Sequence, residues 1–140
     1  MFDTVLIAGL GLMGGSMAKT IKARTLSRVL GWNRTRATAE QALADGSIDA
    51  IATEALYKEA DLVIIGLYPQ ATVDWLLENM PKMKKGCVIV DMVGVKQFMV
   101  DHLEQAALDA GVHYVGGHPM AGREFSGLDY SLPTLFDGAS

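Results

Sequence analysis

The sequence predicts a single α/β domain over residues 1–140, with a mainly parallel sheet and helices on both of its faces. Short apolar runs rich in β-branched residues alternate repeatedly with longer segments of helical period. The run at residues 61–67 is apolar almost without interruption, which indicates a strand covered on both faces, as in parallel sheets. Strands and helices that alternate in this way are joined by crossovers, so we expect a doubly wound sheet.

The first half of the chain alternates strands with helices. Apolar runs predict strands at residues 3–9, 28–33 and 48–52. The first helix, residues 12–24, repeats apolar residues at helical spacing, namely Met13, Met17, Ala18 and Ile21. The second helix, residues 35–44, is followed by Gly46, which stands where a residue of left-handed conformation commonly ends a helix.

The second half continues the alternation. The strand at residues 61–67 stops before Pro69. A helix follows that Pro81 ends, and its predicted buried face consists of Val73, Leu76, Leu77 and Met80. A fifth strand at residues 87–92, a helix at residues 96–110 that Gly111 ends and a sixth strand at residues 112–117 complete the series.

Composition excludes several classes of function. A net charge of -4 and a pI near 5.2 disfavour nucleic acid as a partner. Apolar runs stay well short of the roughly 18 residues of a membrane span, and the acidic Asp3 is atypical of a signal peptide, so we expect a cytoplasmic protein without membrane association. The single Cys87 lies in an apolar run and is predicted to be a buried, unreactive residue.

The segment "GLGLMGGS" joins the first strand to the first helix and carries the spacing GxGxxG at Gly9, Gly11 and Gly14. In this position the first glycine permits a tight turn, the second admits a pyrophosphate, and the third lets helix and strand pack closely. The start of the helix then offers free N–H groups to the anion. The sequence therefore predicts a Rossmann-type dinucleotide-binding domain, against the alternative of a glycine-rich turn without a ligand.

The end of the second strand determines which dinucleotide is preferred. NAD-binding domains commonly place a carboxylate there, whereas this chain has "NRT", Asn33 to Thr35. An amide and a guanidinium suit a 2'-phosphate, so the sequence favours NADP over NAD. An asparagine also suits an unmodified ribose, and Arg34 and Arg36 have the alternative interpretation of solvated residues at a helix start.

Three further segments should meet at the carboxyl edge of the sheet, where the reacting end of the ligand lies. They follow the fourth, fifth and sixth strands, and the last contains "GGHPMAGREFSG". We expect His118 in this segment to face the nicotinamide, since a histidine takes up a proton near neutral pH; the alternative is a histidine that only hydrogen-bonds a backbone group at a turn before Pro119. His102 and His113 lack neighbours at ligand spacing, so no metal site is expected. The residues predicted to bind the cofactor are Gly9, Leu10, Gly11, Leu12, Met13, Gly14, Asn33, Arg34, Thr35, Leu67, Tyr68, Pro69, Asp91 and Val93.

Five motifs together resemble the prephenate/arogenate dehydrogenase family of tyrosine biosynthesis. They are "GLGLMGGS", "ADLVIIGLYP", "DMVGVK", "GGHPMAGREFSG" and "LFDGA", in the family's order. The resemblance implies an oxidoreductase that oxidises the ring carbinol of prephenate or arogenate, with hydride passing to NAD or NADP and loss of carbon dioxide. It also implies that His118 accepts a hydrogen bond from the substrate hydroxyl and is the catalytic residue.

Two departures from the family pattern affect the predicted site. Many members read DxGSVK after the fifth strand, whereas this chain has Val93 and Gly94 at the Gly-Ser positions, so Gly94 supplies no hydroxyl to the substrate. The family also continues into an all-helical domain that builds a homodimer and contributes cations for the substrate carboxylates. In this chain the candidates for that role are Lys96 and Arg123.

From its length we expect the chain to be the cofactor domain of a longer enzyme or a natural short form, weak or inactive alone. Two alternatives remain open. One is a non-catalytic dinucleotide-binding or regulatory module. The other is a different dehydrogenase on the same scaffold, such as a β-hydroxyacid dehydrogenase or an imine reductase.

Overall fold

Six short strands form one parallel sheet in the computed structural model, which describes residues 2–92 and 97–115. The strands are β1 Thr4–Ala8, β2 Arg28–Trp32, β3 Ala50–Ile51, β4 Leu62–Ile65, β5 Val88–Asp91 and β6 His113–Val115. They pair in parallel in the order β3-β2-β1-β4-β5-β6. This is the strand order of the Rossmann-type doubly wound sheet, so the predicted fold class is confirmed.

Helices connect the strands. They are α1 Leu12–Arg24, α2 Arg36–Ala44, α3 Glu54–Tyr57, α4 Pro69–Asn79 and α5 Gln97–Ala110. Gly46 and Gly111, predicted to end α2 and α5, have φ angles of 83° and 76°, the left-handed region that glycine tolerates. The sequence did not predict α3, because four residues make about one turn and show no helical repeat. Within the described ranges, no helix has the length and apolar character needed to cross a bilayer.

Alternate strand residues enter two cores, one on each face of the sheet. On one face Val5 and Ile7 of β1 pack with Met17 and Ile21 of α1 and with α2. On the other face Leu6 of β1 packs with residues of α3, α4 and α5. Burying one such aliphatic side chain contributes about 1.5–3 kcal/mol. β4, which is buried throughout, is therefore covered on both sides, as its near-continuous apolar run predicted.

The structure corrects the predicted buried face of α4. Leu77 was expected to be buried, but it is 45% exposed, whereas Trp75 is only 6% exposed. Side chains two positions apart in a helix point about 200° apart around its axis, so Trp75 and Leu77 occupy opposite faces. The Trp75 ring lies 5.6 Å, centroid to centroid, from both Trp32 and Tyr57. These aromatic contacts fix which face of α4 is buried.

The region after α4 and before β5 differs slightly from the prediction. α4 ends at Asn79, and a 3-10 turn at Met80–Lys82 carries Pro81. Cys87 is 1% exposed, which confirms its predicted burial. Burial raises the pKa of the Cys87 thiol to about 12.

The carboxyl ends of the central strands stand level at one edge of the sheet. The β1–β4 register pairs Ala8 with Ile65, and the β4–β5 register pairs Ile65 with Asp91. β1 lies between β2 and β4, and the direction of chain winding reverses there. In open α/β sheets ligands bind at such a switch point, outside the carboxyl ends of the strands.

Candidate functional site

The glycine loop leaves β1 at this switch point. Gly9 has a φ of 96°, and its N–H donates to the Trp32 carbonyl oxygen at 2.8 Å. A Cβ at Gly9 would lie 2.7 Å from the Gly66 carbonyl oxygen, closer than a side chain tolerates. The turn therefore requires glycine for both its backbone conformation and its close approach to the loop after β4.

The other two glycines of the motif have different surroundings. A Cβ at Gly14 would lie 1.7 Å from the Gly9 carbonyl oxygen, so this glycine lets α1 pack tightly on the end of β1. A Cβ at Gly11 would meet no atom of the described part of the chain within 4 Å. Gly11 thus leaves open space at the start of α1, where a ligand can approach the backbone. This arrangement fits the three roles predicted for the motif.

The start of α1 is suited to an anion. Its N-cap is Gly11, which has no side chain to cap the helix, and its first turn contains no acidic residue. The first intrahelical bond of this segment joins the Gly15 N–H to the Gly11 carbonyl oxygen at 2.7 Å. The N–H groups of residues 12–14, in the first turn, have no acceptor carbonyl within the helix, because no helical residue lies four positions before them. The helix dipole adds a partial positive charge at the same end. The residues present therefore fit the pyrophosphate of a dinucleotide.

Asn33 ties the glycine loop to the end of β2. Its Oδ1 accepts a hydrogen bond from the Leu10 N–H at 2.8 Å, and its Nδ2 donates to the Thr35 carbonyl oxygen at 3.0 Å. The Asn33 side chain is predicted to contact the adenosine ribose or its 2'-phosphate, and the structure directs its oxygen at the loop. One Nδ2 hydrogen remains for a ligand. The predicted role of Asn33 in cofactor binding stays a prediction, and its role in holding the loop was not foreseen.

A cleft of about 450 Å³ opens beside the loop, between α1 and α2. Gly11 and Leu12 line it from the first turn of α1, and Ala37 and Thr38 line it from the first turn of α2. The N-cap of α2, Thr35, makes no side-chain capping hydrogen bond. Two helix N-termini therefore flank one cleft, and both favour a negatively charged ligand.

Arg34 and Thr35 are exposed at the entrance to α2, and their contact with a cofactor stays a prediction. Arg36 is also exposed and forms an ion pair with Glu40 at 3.5 Å. Arg34 directly precedes the N-cap of α2 and adds a full positive charge near the start of that helix.

The loop after β4 meets the glycine loop at the same edge. The Gly66 N–H donates to the Ala8 carbonyl oxygen at 2.8 Å. A Cβ at Gly66 would lie 3.2 Å from the Gly9 carbonyl oxygen, so Gly66 is a packing requirement of the site that was not predicted. The predicted residues that follow, Leu67, Tyr68 and Pro69, lead into α4, with Tyr68 as its exposed N-cap.

Asp91 ends β5 and is 2% exposed. The Tyr114 hydroxyl on the neighbouring β6 donates to its Oδ2 at 3.2 Å. Burial, and after it the charge of Asp91, raise the pKa of Tyr114 above its usual range, so the hydroxyl remains protonated at physiological pH. The structure thus places a buried carboxylate at the predicted cofactor edge.

The comparisons with known proteins agree with this geometry. Residues 17–140 match the family model described as prephenate dehydrogenase, nucleotide-binding domain. The chain belongs to this family. The resemblance inferred from the motifs is thereby confirmed.

Relatives within the family are considerably longer. The prephenate dehydrogenase of Bacillus subtilis (strain 168) is 38% identical over an alignment of 143 residues, which covers 99% of this chain and 38% of that protein. A prephenate dehydrogenase from A. aeolicus, solved with hydroxyphenyl propionate and NAD+, is 26% identical and superposes with a TM-score of 0.75. That match covers 87% of this chain and 43% of the other. The chain therefore spans about two fifths of the length of these relatives.

Other oxidoreductases share the fold alone. An imine reductase from Myxococcus stipitatus, solved with NADP+, is 24% identical with a TM-score of 0.66, over 79% of this chain and 39% of the other. The alternative of a different dehydrogenase on this scaffold is therefore supported only by fold. The family match favours the prephenate dehydrogenase nucleotide-binding domain.

Some predicted residues of this prephenate dehydrogenase domain lie outside the described residues. They are Val93, Gly94, Lys96, His118 and Arg123. Their predicted contacts with cofactor or substrate stay predictions. Across residues 2–92 and 97–115, no three His, Cys, Asp or Glu side chains form a cluster that could hold a metal ion.

Proposed function

We propose that this prephenate dehydrogenase nucleotide-binding domain binds a nicotinamide dinucleotide across the carboxyl edge of its sheet. The pyrophosphate lies on the segment from Gly11 to Gly14, and the adenosine lies at the end of β2. The observation that carries the proposal is the space at Gly11 beside the start of α1, where a Cβ would meet no atom of residues 2–92 or 97–115 within 4 Å. A backbone that is open to a ligand there, with N–H groups that the helix leaves free, suits a phosphate anion.

We further propose NADP as the preferred form and NAD as the weaker ligand. The residues that follow β2, Asn33 to Arg36, include no carboxylate to repel a 2'-phosphate, and Arg34 is exposed beside the N-terminus of α2. The A. aeolicus prephenate dehydrogenase was solved with NAD+, so that relative accepts the form without the phosphate. Asn33 is held by Leu10, which leaves the phosphate contact mainly to Arg34 and to the backbone of α2.

The reaction proposed for the enzyme is the oxidative decarboxylation of prephenate or arogenate in tyrosine biosynthesis, in the cytoplasm and as a homodimer. When bound, the nicotinamide accepts the hydride. His118 accepts a hydrogen bond from the substrate hydroxyl and draws away its proton, which eases hydride departure from the same carbon. Lys96 and Arg123 are proposed to pair with substrate carboxylates. This part rests on the family match.

Calorimetric titration of the 140-residue chain with NADP and with NAD tests the binding proposal. We expect both to bind, with NADP tighter. Arg34→Ala should weaken NADP by about tenfold and leave NAD unchanged, since a charge-assisted hydrogen bond contributes about 1.5–3 kcal/mol. The control is Arg28→Ala, which removes the same charge at the other end of β2, where Arg28 pairs with Glu59 at 2.9 Å. Absence of binding by either dinucleotide would refute the proposal.

A steady-state assay with prephenate tests whether these 140 residues suffice for turnover. We propose that cofactor binding is the activity of these 140 residues and expect little or no turnover from them alone. Robust turnover by the chain would contradict that expectation. It would then make His118→Asn the decisive variant, because loss of turnover with retained cofactor binding would assign the residue to chemistry rather than to folding.

A further inference from the structure

Asp91 is a buried carboxylate at the edge that the dinucleotide crosses under the proposed function. In the sheet register Asp91 of β5 pairs with Ile65 of β4, and Ile65 pairs with Ala8 of β1. Neighbouring strands stand about 4.8 Å apart, so the backbone of Asp91 lies about 10 Å from the end of β1, where the glycine loop begins.

The direction of the bound dinucleotide follows from the fold. β2 lies on one side of β1, and its end, at Asn33 and Arg34, is the proposed adenosine site. β4 and β5 lie on the other side of β1. With the pyrophosphate at Gly11, the nicotinamide half extends toward β4 and β5, which brings the ring to the neighbourhood of Asp91.

Tyr114 holds the carboxylate in place. β5 and β6 pair Ile89 with Tyr114, and the Tyr114 hydroxyl reaches Asp91 Oδ2 at 3.2 Å. Tyr114 is half-buried, and its ring packs against the core on the face of α4 and α5. A side chain anchored in this way limits the positions that the Asp91 carboxylate adopts.

We propose that Asp91, positioned by Tyr114, makes the site favour the oxidised dinucleotide over the reduced one. The inference rests on the proposed function. The oxidised nicotinamide ring carries a positive charge that the reduced ring lacks, so a nearby carboxylate attracts only the oxidised form. Taking the span from Asp91 to the end of β1, about 10 Å, as the scale of the separation, and an effective dielectric constant of about 20, the attraction changes an affinity by about tenfold. Asp91 has other interactions besides Tyr114, but removing its charge shifts the local potential in the same direction whatever they are.

The experiment measures dissociation constants for the oxidised and the reduced form of NADP, or of NAD if NAD binds more tightly. Wild type should bind the oxidised form at least as tightly as the reduced form. Asp91→Asn should weaken the oxidised form by about tenfold and leave the reduced form within about twofold. The matched control is Asp109→Asn, the same change on the exposed end of α5 near the opposite edge of the sheet, which should leave the ratio unchanged.

Two additional variants separate charge from shape. Asp91→Glu retains the charge and should retain most of the preference for the oxidised form. Tyr114→Phe keeps the charge but releases the carboxylate, and should lower the ratio by about threefold, less than the loss of the charge itself. A purely structural role for Tyr114 would weaken both forms equally and leave the ratio unchanged.

The outcomes distinguish the inference from the proposed function. An unchanged ratio in a folded Asp91→Asn variant overturns the inference, and so does a wild-type chain that binds the reduced form more tightly. The wild-type result stands even if Asp91→Asn does not fold. If wild type binds neither form, the proposed function fails, and the inference fails with it.

Discussion

We expect Gly11→Ala to remove most dinucleotide binding from a folded domain, and Gly14→Ala to destabilise the domain itself. Each variant adds one methyl group to the same loop. At Gly14 the added Cβ would lie 1.7 Å from the Gly9 carbonyl oxygen and 2.9 Å from the Gly9 carbonyl carbon. Both are backbone atoms, so no side-chain rotation relieves the overlap. At Gly11 the added Cβ would meet nothing within 4 Å among the residues that the structure describes.

These contacts determine how much stability each variant should lose. Overpacking against fixed atoms lowers the free energy of unfolding by about 3 kcal/mol or more, whereas the higher helix propensity of alanine raises it by about 1 kcal/mol. Gly14→Ala should therefore lower the free energy of unfolding by at least about 2 kcal/mol. For a domain of this size that lowers Tm by about 6 °C or more. Gly11→Ala should lower the free energy of unfolding by about 0.5–1 kcal/mol, because alanine is a poorer N-cap residue than glycine. The corresponding fall in Tm is at most about 4 °C.

The assay combines thermal unfolding without ligand and calorimetric titration with NADP. Gly11→Ala should weaken NADP by at least about tenfold, equivalent to about 1.4 kcal/mol. Gly15→Ala is the control for an added methyl group in the same helix, since its Cβ would only touch the Leu10 carbonyl oxygen at 3.4 Å. Wild-type affinity in Gly11→Ala would show that no phosphate approaches there, and an unchanged Tm in Gly14→Ala would refute the packing argument.

Three further predictions concern other parts of the domain. Asn33→Asp retains an acceptor for the glycine loop but places a negative charge at the adenosine end, so NADP should weaken by about tenfold relative to NAD; continued preference for NADP in titrations would contradict this. Cys87, with its pKa raised to about 12, should react with a thiol reagent at pH 8 about a thousandfold more slowly in the native state than in denaturant; rapid native labelling would contradict its burial. Burial alone would raise the pKa of Asp61, but hydrogen bonds from Lys84 and the backbone lower it below 3.8. Asp61→Asn should therefore lower Tm at pH 7. A Tm difference between wild type and variant that persisted as pH fell through the lowered pKa would count against this assignment.

The Asp61 prediction follows from the sign of linkage. A carboxyl group whose pKa is lower in the folded state stabilises the fold above its unfolded pKa, and this contribution disappears as pH falls through the folded pKa. Asp61 also accepts backbone hydrogen bonds from Asp3 and Thr4, at 3.1 and 3.0 Å, which tie the first strand to the start of β4. Asparagine retains one acceptor but loses the ion pair with Lys84. The comparison should be made by thermal unfolding of both proteins across pH 2–7.

Local patterns predicted most of the fold. α1 has the bounds that its apolar spacing indicated, and the glycines after α2 and α5 adopt the left-handed conformation expected of them. The strands β1 to β5 are one or two residues shorter at their ends than the predicted bounds in most cases, a difference typical of element boundaries. The single turn of α3 carries no periodic signal. The face of α4 was misassigned at Leu77 because aromatic packing around Trp75, between distant segments, decides which side is buried.

In the candidate site the glycine loop was predicted from the sequence, whereas the contacts between distant segments were not, for a similar reason. The glycine spacing indicated the loop and its three roles, since each depends on the missing Cβ at a known position. The hydrogen bond from the Leu10 N–H to Asn33 joins residues 23 apart in sequence, and the contact of Gly66 with Gly9 joins segments still farther apart. Such contacts exist only after the strands pair. A glycine after a buried strand was the available signal for Gly66.

The most direct test of dinucleotide binding at the glycine loop is a titration of the isotopically labelled chain with NADP, followed by amide chemical shifts. We predict that the largest changes fall on Gly11, Leu12 and Met13 and on residues 33–35 at the end of β2, with saturation at the calorimetric affinity. Changes confined to other surfaces, such as the cleft between α5 and β6, or no saturable change at all, would contradict the claim that the dinucleotide lies across the glycine loop.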